Sequence, residues 1–382
     1  MGPLYGYTII ELAGLGPAPT TGMMLADMGA EVIRIERGYQ SDPMQLKDAS
    51  FRGKKSVVLD LKSAEGREIL LTMLENADAL IEGYRPGVTE KMGIGPEDCW
   101  KRNPKLVYGR MTGWGQEGPL AQAAGHDINY ISLTGALYAC GNPGEAPIPP
   151  LNLVGDMGGG GMLLLSGVLA ALLEAQKSGK GQVVDAAMVD GAAQLMWMFH
   201  GFHATGFWDA KQRGANILDG GAHFYSSYET ADGKYISVGS IEPQFYSLLV
   251  ELAELDSEKF ASQMDPRQWP NLKNELAAAF KRKTQKEWCE LMEGTDLCFA
   301  PVLSLTEASL HPHNVERKTY IEVDGFTQPA PAPRFSRTAS TVQHGQRKRG
   351  EDNEAVLSRF GFDNAAIQDL KDRGVIHTMP VE

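Results

Sequence analysis

Short apolar runs alternate with longer amphipathic stretches through the first half of the chain. "YTIIEL" (7–12) reads as a strand that enters a glycine turn, "PTTGMMLADMGA" (19–30) as a helix and "EVIRIE" (31–36) as the next strand. "KSVVLDLKS" (55–63) repeats the strand pattern. "SAEGREILLTMLENA" (63–77) carries an amphipathic helix period, "DALIEG" (78–83) is a strand, and "PKLVYGRMTGWG" (104–115) is a strand running into a loop. Such alternation predicts a parallel α/β layer of Rossmann-like type. In "GDMGGGGMLLLSGVLAALLEAQKSGKG" (155–181) a helix is expected to begin after Asp156 and to end at the glycines of "SGKG", with a strand and a second helix following.

The texture changes near Gly201. "FYSSYETADGKYISVGS" (224–240) predicts a hairpin turning at Ala231, Asp232 and Gly233. "PQFYSLLVELAEL" (243–255) and "WPNLKNELAAAFKRKTQKEWCELME" (269–293) are helical in period, so a smaller α+β unit is expected here. "TQPAPAPRFSRTAS" (327–340) is Pro-rich and extended, and the polar "QHGQRKRGEDNEA" (343–355) precedes one or two short C-terminal helices. There is no internal repeat.

Composition narrows the function classes. The net charge of −12 over 382 residues argues against a general nucleic-acid binder, which needs a basic face. Cys99, Cys140, Cys289 and Cys298 form no CxxC pair, so reduced thiols are expected, with neither metal nor disulfide roles. The N-terminal stretch lacks the pattern of a signal peptide, Gly6 stands where a myristoylation signal wants Ser or Thr, and "HTMPVE" is no peroxisomal address. The most apolar stretch, "MLLLSGVLAALLEA" (162–175), reads as too short for a membrane span. A cytoplasmic protein is the expectation.

Four features carry candidate chemistry. Gly14 and Gly16 follow the first strand and Glu36 ends the second, but Pro19 occupies the third glycine position of a dinucleotide fingerprint, so a structural turn is favoured over NAD binding. Arg37, Arg52, Lys54, Lys55, Lys62, Arg85 and Lys91 form a basic set, several of them at the carboxyl ends of parallel strands. They read either as partners for a phosphate-bearing ligand or as solvated surface charges. His126 and Asp156 each stand at an expected helix start, and Asp156 precedes Gly158 to Gly161, through which a ligand could approach the backbone. An imidazole, a carboxylate and free N–H donors can remove a proton beside a carbonyl and hold the enolate. Taken alone, each residue is better read as a helix cap or a satisfied core group. Among 16 methionines, Met157 lies nearest this pair; flexible thioethers there suit an apolar ligand.

The longer motifs resemble a known family. "GHDINYISLTGAL" (125–137), "PPLNLVGDMGGGGM" (149–162), "SGKGQVVDAAMVDG" (178–191), "RGANILDGGAHFY" (213–225), "VGSIEPQFY" (238–246) and "APAPRFSRTAS" (330–340) resemble the α-methylacyl-CoA racemases of the family III CoA-transferase superfamily. The likeness covers nearly the whole chain and fades after about residue 340.

That resemblance implies a large α/β, coenzyme A-binding domain over 1–195, a linker over 196–225, a small α+β domain over 226–325, and a return segment with C-terminal helices on the large domain over 326–382. It implies an interlocked homodimer whose active site lies between subunits. The implied substrate is a 2-methyl-branched acyl-CoA, inverted at Cα with no metal and no cofactor beyond the coenzyme A of the substrate. His126 and Asp156 match the two bases, Glu242 the carboxylate that pairs with the histidine, and Asn152 and Tyr130 groups that orient them. Backbone N–H groups near Asp127 are expected to hold the enolate oxygen. Arg37, Leu59, Asp60, Leu61, Lys62, Gly83, Tyr84, Arg85, Lys91 and the run Gly125, His126, Asp127, Ile128, Asn129, Tyr130 match coenzyme A contact positions. Lys91 departs from the pattern, which has arginine; a point charge replaces a bidentate fork. Two other readings remain open: a CoA-transferase using Asp156 as nucleophile, and a non-catalytic acyl-CoA carrier. His126 favours the racemase, because "GHDINY" resembles the racemases and the family's transferases lack a base there.

Overall fold

Strand-forming runs that are buried on both faces assemble the sheet at the centre of the first unit. The computed structural model describes residues 2–37 and 47–376; the His377–Glu382 end lies outside the described residues. The six strands are β1 (Thr8–Leu12), β2 (Glu31–Glu36), β3 (Lys54–Val58), β4 (Ala79–Glu82), β5 (Val107–Thr112) and β6 (Val183–Ala187). Their order is β3-β2-β1-β4-β5-β6, with every neighbouring pair parallel. Strand order reverses between β1 and β4, and the crevice outside the carboxyl ends at such a point is where open α/β sheets bind ligands.

Helices cover both faces. On one side α1 (Pro17–Asp27) and α4 (Leu163–Ser178) bury Leu25, Ala26, Leu164, Val168 and Leu172 against the sheet. Pro17 opens α1, where its missing N–H costs nothing. On the other side α2 (Ala64–Leu74), N-capped by the Ser63 side chain, packs Leu70, Met73 and Leu74 together with Val356 and Leu357 of α9 (Asn353–Arg359) and Ile367 and Leu370 of α10 (Asn364–Asp372). The short α3 (Asp127–Ser132) and α5 (Met188–Leu195) complete the layer.

The return segment covers the open edge of β3. Gly53 N donates to His344 O at 2.9 Å, Ser56 N to Asp352 Oδ2 at 2.9 Å and Val58 N to the Asn353 Oδ1 at 2.9 Å. An edge that would otherwise offer unpaired N–H groups is thereby closed.

The second unit is built on the antiparallel sheet β7 (Tyr225–Glu229), β8 (Tyr235–Gly239) and β9 (Phe299–Val302), in that order. The β7–β8 turn passes through Gly233, whose φ of 76° is the left-handed conformation expected of a glycine there. Helices α6 (Pro243–Leu252), α7 (Trp269–Phe280) and α8 (Gln285–Met292) enclose a core of Phe224, Ile236, Leu249, Leu276, Phe280 and Trp288.

Three boundaries differ from the sequence expectation. The first unit comprises 1–134, 151–195 and 318–382, the second 135–150 and 196–317. Residues 135–150 leave the expected large domain because Tyr138 Oη donates to Lys211 O at 2.9 Å, while Arg213 donates to the carbonyls of Tyr138 and Glu145. The stretch 196–225 is structured rather than a linker: it holds a helix (Trp197–Ala204), and Asp219 binds the amides of Gly214 and Asn216. The hairpin β10 (Tyr320–Val323) and β11 (Phe326–Pro329) belongs with the first unit, tied by Arg52, which donates to Gln328 Oε1 and Pro329 O.

The helix expected after Asp156 begins earlier. A π-helical segment, Leu153–Met162, contains Asp156 and runs directly into α4. The helical run Leu153–Ser178 therefore reaches 26 residues, which by length and composition is enough to cross a bilayer. The expected stretch was shorter because the glycines masked the start. Its apolar face, including Leu164, Val168 and Leu172, is buried against the sheet, as in a core helix.

Candidate active site

Two glycines make room for one aromatic ring. A Cβ on Gly113 would stand 2.1 Å from the Tyr130 ring, and one on Gly125 2.8 Å from it. Tyr130 is thus seated in the loop that leaves β5, edge-on to Trp114 with centroids 4.8 Å apart, and its hydroxyl donates to Gly125 O. Burial pushes the Tyr130 phenol upward, and Asp156 adds to the rise. The next residue, His126, N-caps α3, and its backbone N–H donates to Asn129 Oδ1 at 3.0 Å. Tyr130 and Asn129 thereby hold the His126 backbone on both sides and leave the imidazole exposed.

Asp156 is half-buried. Asn152 Nδ2 donates to its Oδ2 at 3.1 Å, and its own backbone N–H donates to Asp127 Oδ2 at 2.7 Å. Burial holds its carboxyl above the ordinary carboxylate range; the Asn152 hydrogen bond pulls it back, the Asp127 charge pushes it up and the His126 imidazole pulls it down. His126 and Asp156 are therefore electrostatic neighbours. A Cβ on Gly16, the residue before α1, would stand 3.7 Å from Asp156 Oδ2.

The glycine run does different work from the one expected of it. A Cβ on Gly159 would meet Ala192 N at 2.6 Å, and one on Gly160 the Pro17 Cβ at 3.0 Å. Gly159, Gly160 and Gly161 are buried, so they admit α5 and α1 to the π segment rather than a ligand to the backbone.

A cavity of about 570 Å³ opens at the switch point. Leu15, Pro17 and Ala18 line it beyond β1, Gly83 to Pro86 beyond β4, and Met111 to Trp114 at β5. Gly125, His126, Asn129, Tyr130 and Met188 complete it. Thus the expected groups Gly83, Tyr84, Arg85, Gly125, His126, Asn129 and Tyr130 come together. Arg37 stacks over the Tyr84 ring at 5.6 Å to the centroid.

Other expected residues are placed elsewhere. Leu59 and Leu61 are buried in the core, so only Asp60 and Lys62 of "LDLK" present side chains to solvent. Ile128 and Lys91 are exposed. Glu242 stands in the second unit as the N-cap of α6. Of the wider basic set, Arg52 pairs with Asp27 at 2.6 Å, Lys54 with Glu11 at 2.6 Å and Lys55 with Glu31 at 2.6 Å. These cations are spent on structure. Glu36 is buried too, accepting from Ser56 with Arg34 and Arg349 beside it, and so presents nothing to a ribose.

Sequence reasoning missed Trp114, Gly113 and Pro17 as cavity walls. Their signal was position: Gly113 and Trp114 follow the carboxyl end of a parallel strand, and Pro17 opens the first helix.

Residues 4–353 match the model of CoA-transferase family III. The chain belongs to that family. This family III chain is 45% identical over 379 residues to the α-methylacyl-CoA racemase of Mus musculus, covering 98% of each chain. It is 42% identical to the α-methylacyl-CoA racemase of Homo sapiens, covering 99% of each. Among solved structures, a CaiB/BaiF family protein from Brucella suis superposes with a TM-score of 0.81 at 25% identity, over 94% of this chain and 99% of the other. The six-stranded parallel sheet and the small antiparallel unit are those of the family III fold.

Proposed function

We propose that this family III protein is an α-methylacyl-CoA racemase, an isomerase that inverts the α-carbon of 2-methyl-branched acyl-CoA thioesters. The identity to two racemases over almost their full lengths carries the reading. The electrostatic proximity of Asp156 to His126, which lines the cavity, supports it.

A single base tends to return a proton to the face it came from, so inversion needs one base on each face of Cα. One base takes the α-proton, the electron pair moves into the thioester carbonyl as an enolate, and the other base delivers a proton to the opposite face. His126 serves one face and Asp156 the other, with roles exchanged for the opposite hand. The carboxyl of Asp156, held above its ordinary range by burial, is suited to giving its proton up as well as taking one. Backbone N–H groups at the start of α3 stabilise the enolate oxygen; one such donor is typically worth about 3 kcal/mol. Arg37, Asp60, Lys62, Gly83 to Arg85 and Lys91 hold coenzyme A, whose phosphates meet the exposed cations. The working unit is an interlocked homodimer in which Glu242 pairs with the histidine.

The test is proton exchange. Incubation with (R)-2-methyldecanoyl-CoA in D₂O should place α-deuterium in the S product, and both His126→Ala and Asp156→Ala should abolish it. Transfer of CoA to an added acid, dependent on Asp156 alone, would instead make the protein a CoA-transferase.

A further inference from the structure

We propose that the Asp127 side chain is a positioning clamp that sets the separation of the two bases, and so decides whether an abstracted proton leads to inversion or merely to exchange. The proposal rests on the racemase reading. Asp127 directly follows His126 and opens α3. Its Oδ2 reaches across to the backbone N–H of Asp156, 29 positions along the chain, at 2.7 Å. That N–H lies in the first turn of the π segment, where no intrahelical carbonyl is available to it. The carboxylate of one base-bearing element therefore caps the other.

Two further observations separate this from ordinary capping. Asp127 is only 5% exposed, and its Oδ1 is buried with no hydrogen-bond partner among the described residues. A half-satisfied buried carboxylate is a poor choice for stability alone. Gly155 is also committed to the contact: a Cβ there would lie 2.6 Å from Asp127 Oδ2. The glycine beside Asp156 leaves clearance through which the carboxylate reaches the amide.

The chemical consequence is specific. Proton removal needs one base in place; inversion needs both, aligned on opposite faces. If the clamp is lost, the first base can still abstract the α-proton, exchange it with solvent and return it to the same face. Misplacement on the scale of an ångström is costly to an aligned reaction.

The experiment follows deuterium in both hands of 2-methyldecanoyl-CoA in D₂O, at early turnover, for wild type, Asp127→Ala, Asp127→Asn and Gly155→Ala. The ratio of deuterium in the retained hand to deuterium in the inverted hand should rise on the order of tenfold in Asp127→Ala. Asp127→Asn keeps an acceptor oxygen and should leave this deuterium ratio, though not the pH profile, near the wild-type value. Gly155→Ala forces the clamp apart with Asp127 intact and should reproduce the rise, which covers the case in which Asp127→Ala fails to fold. An unchanged ratio in Asp127→Ala or Gly155→Ala, with exchange and inversion falling together, would overturn the clamp and leave the racemase standing. Absence of α-exchange in the wild type would sink the racemase reading and the clamp with it.

Discussion

Glu82 and Arg110 are register partners on β4 and β5, and the Arg110 Nε donates to Glu82 Oε1 at 3.0 Å. The other Glu82 oxygen accepts the Tyr84 N–H at 2.6 Å, and Arg110 Nη2 reaches Glu90 at 2.6 Å and Thr89 at 2.9 Å. One buried guanidinium thus bridges two carboxylates and shapes the Gly83–Pro86 wall of the cavity. Arg110→Met should cost about 3 to 5 kcal/mol in urea unfolding, because it strands a buried carboxylate. In the fraction that remains folded, KM for acyl-CoA should rise more than kcat falls. A fall confined to kcat, with KM unchanged, would refute the link between this pair and the loop.

The same arrangement leaves Arg85 and Lys91 without an ion-pair partner among the described residues. Arg85→Ala should weaken coenzyme A binding about tenfold or more, as expected for loss of a charged hydrogen bond. Lys91→Arg should tighten it by restoring a bidentate fork. Calorimetric titration with free coenzyme A checks both, and an unaltered affinity in Arg85→Ala would remove that residue from the site.

The proposed two-base mechanism requires Asp156 to be ionised in the direction in which it takes the proton. Since burial raises its carboxyl above the usual range, activity in that direction should fall on acidification at a higher pH than an ordinary aspartate would allow. The Asn152 hydrogen bond stabilises the ionised form, so Asn152→Ala should move this acid limb further up in pH. Asp127 opposes ionisation, so Asp127→Asn should move it down. Rate profiles measured separately from each enantiomer would reveal the shifts; identical limbs in wild type and Asn152→Ala would exclude Asp156 as the titrating base.

Gly113→Ala would thrust a methyl group into the Tyr130 ring. Overpacking of this kind costs about 1 to 3 kcal/mol. It should also disturb the Trp114–Tyr130 contact in near-ultraviolet circular dichroism and lower activity by displacing Gly125 and the His126 backbone. Retention of full activity would show that the tyrosine does not position the histidine.

Much of the fold was legible because its determinants are local. The period of apolar residues marks β1, α1, β2, α2 and β4, and the Ala231–Asp232–Gly233 turn follows from the left-handed conformation that Gly233 adopts without a Cβ. His126 and Asp156 stood out through the motifs around them.

What stayed hidden depends on partners distant in sequence. Nothing local distinguishes Lys54, locked to Glu11, from Arg85, which faces a cavity. The resemblance placed Leu59 and Leu61 beside a ligand; packing with the C-terminal helices shows their side chains committed to the core. Glycines 158 to 161 looked like a ligand approach until α1 and α5 were seen to occupy the space they leave. The sequence by itself determined the strand–helix alternation, the acidic surface balance and the residue types able to move a proton, because these follow from side-chain chemistry and near-neighbour periodicity. Tertiary structure alone decided which cations remain free, which glycines serve packing, and that a buried aspartate joins the elements bearing His126 and Asp156. These depend on sheet register and helix docking, which bring together groups that the chain separates by tens of positions.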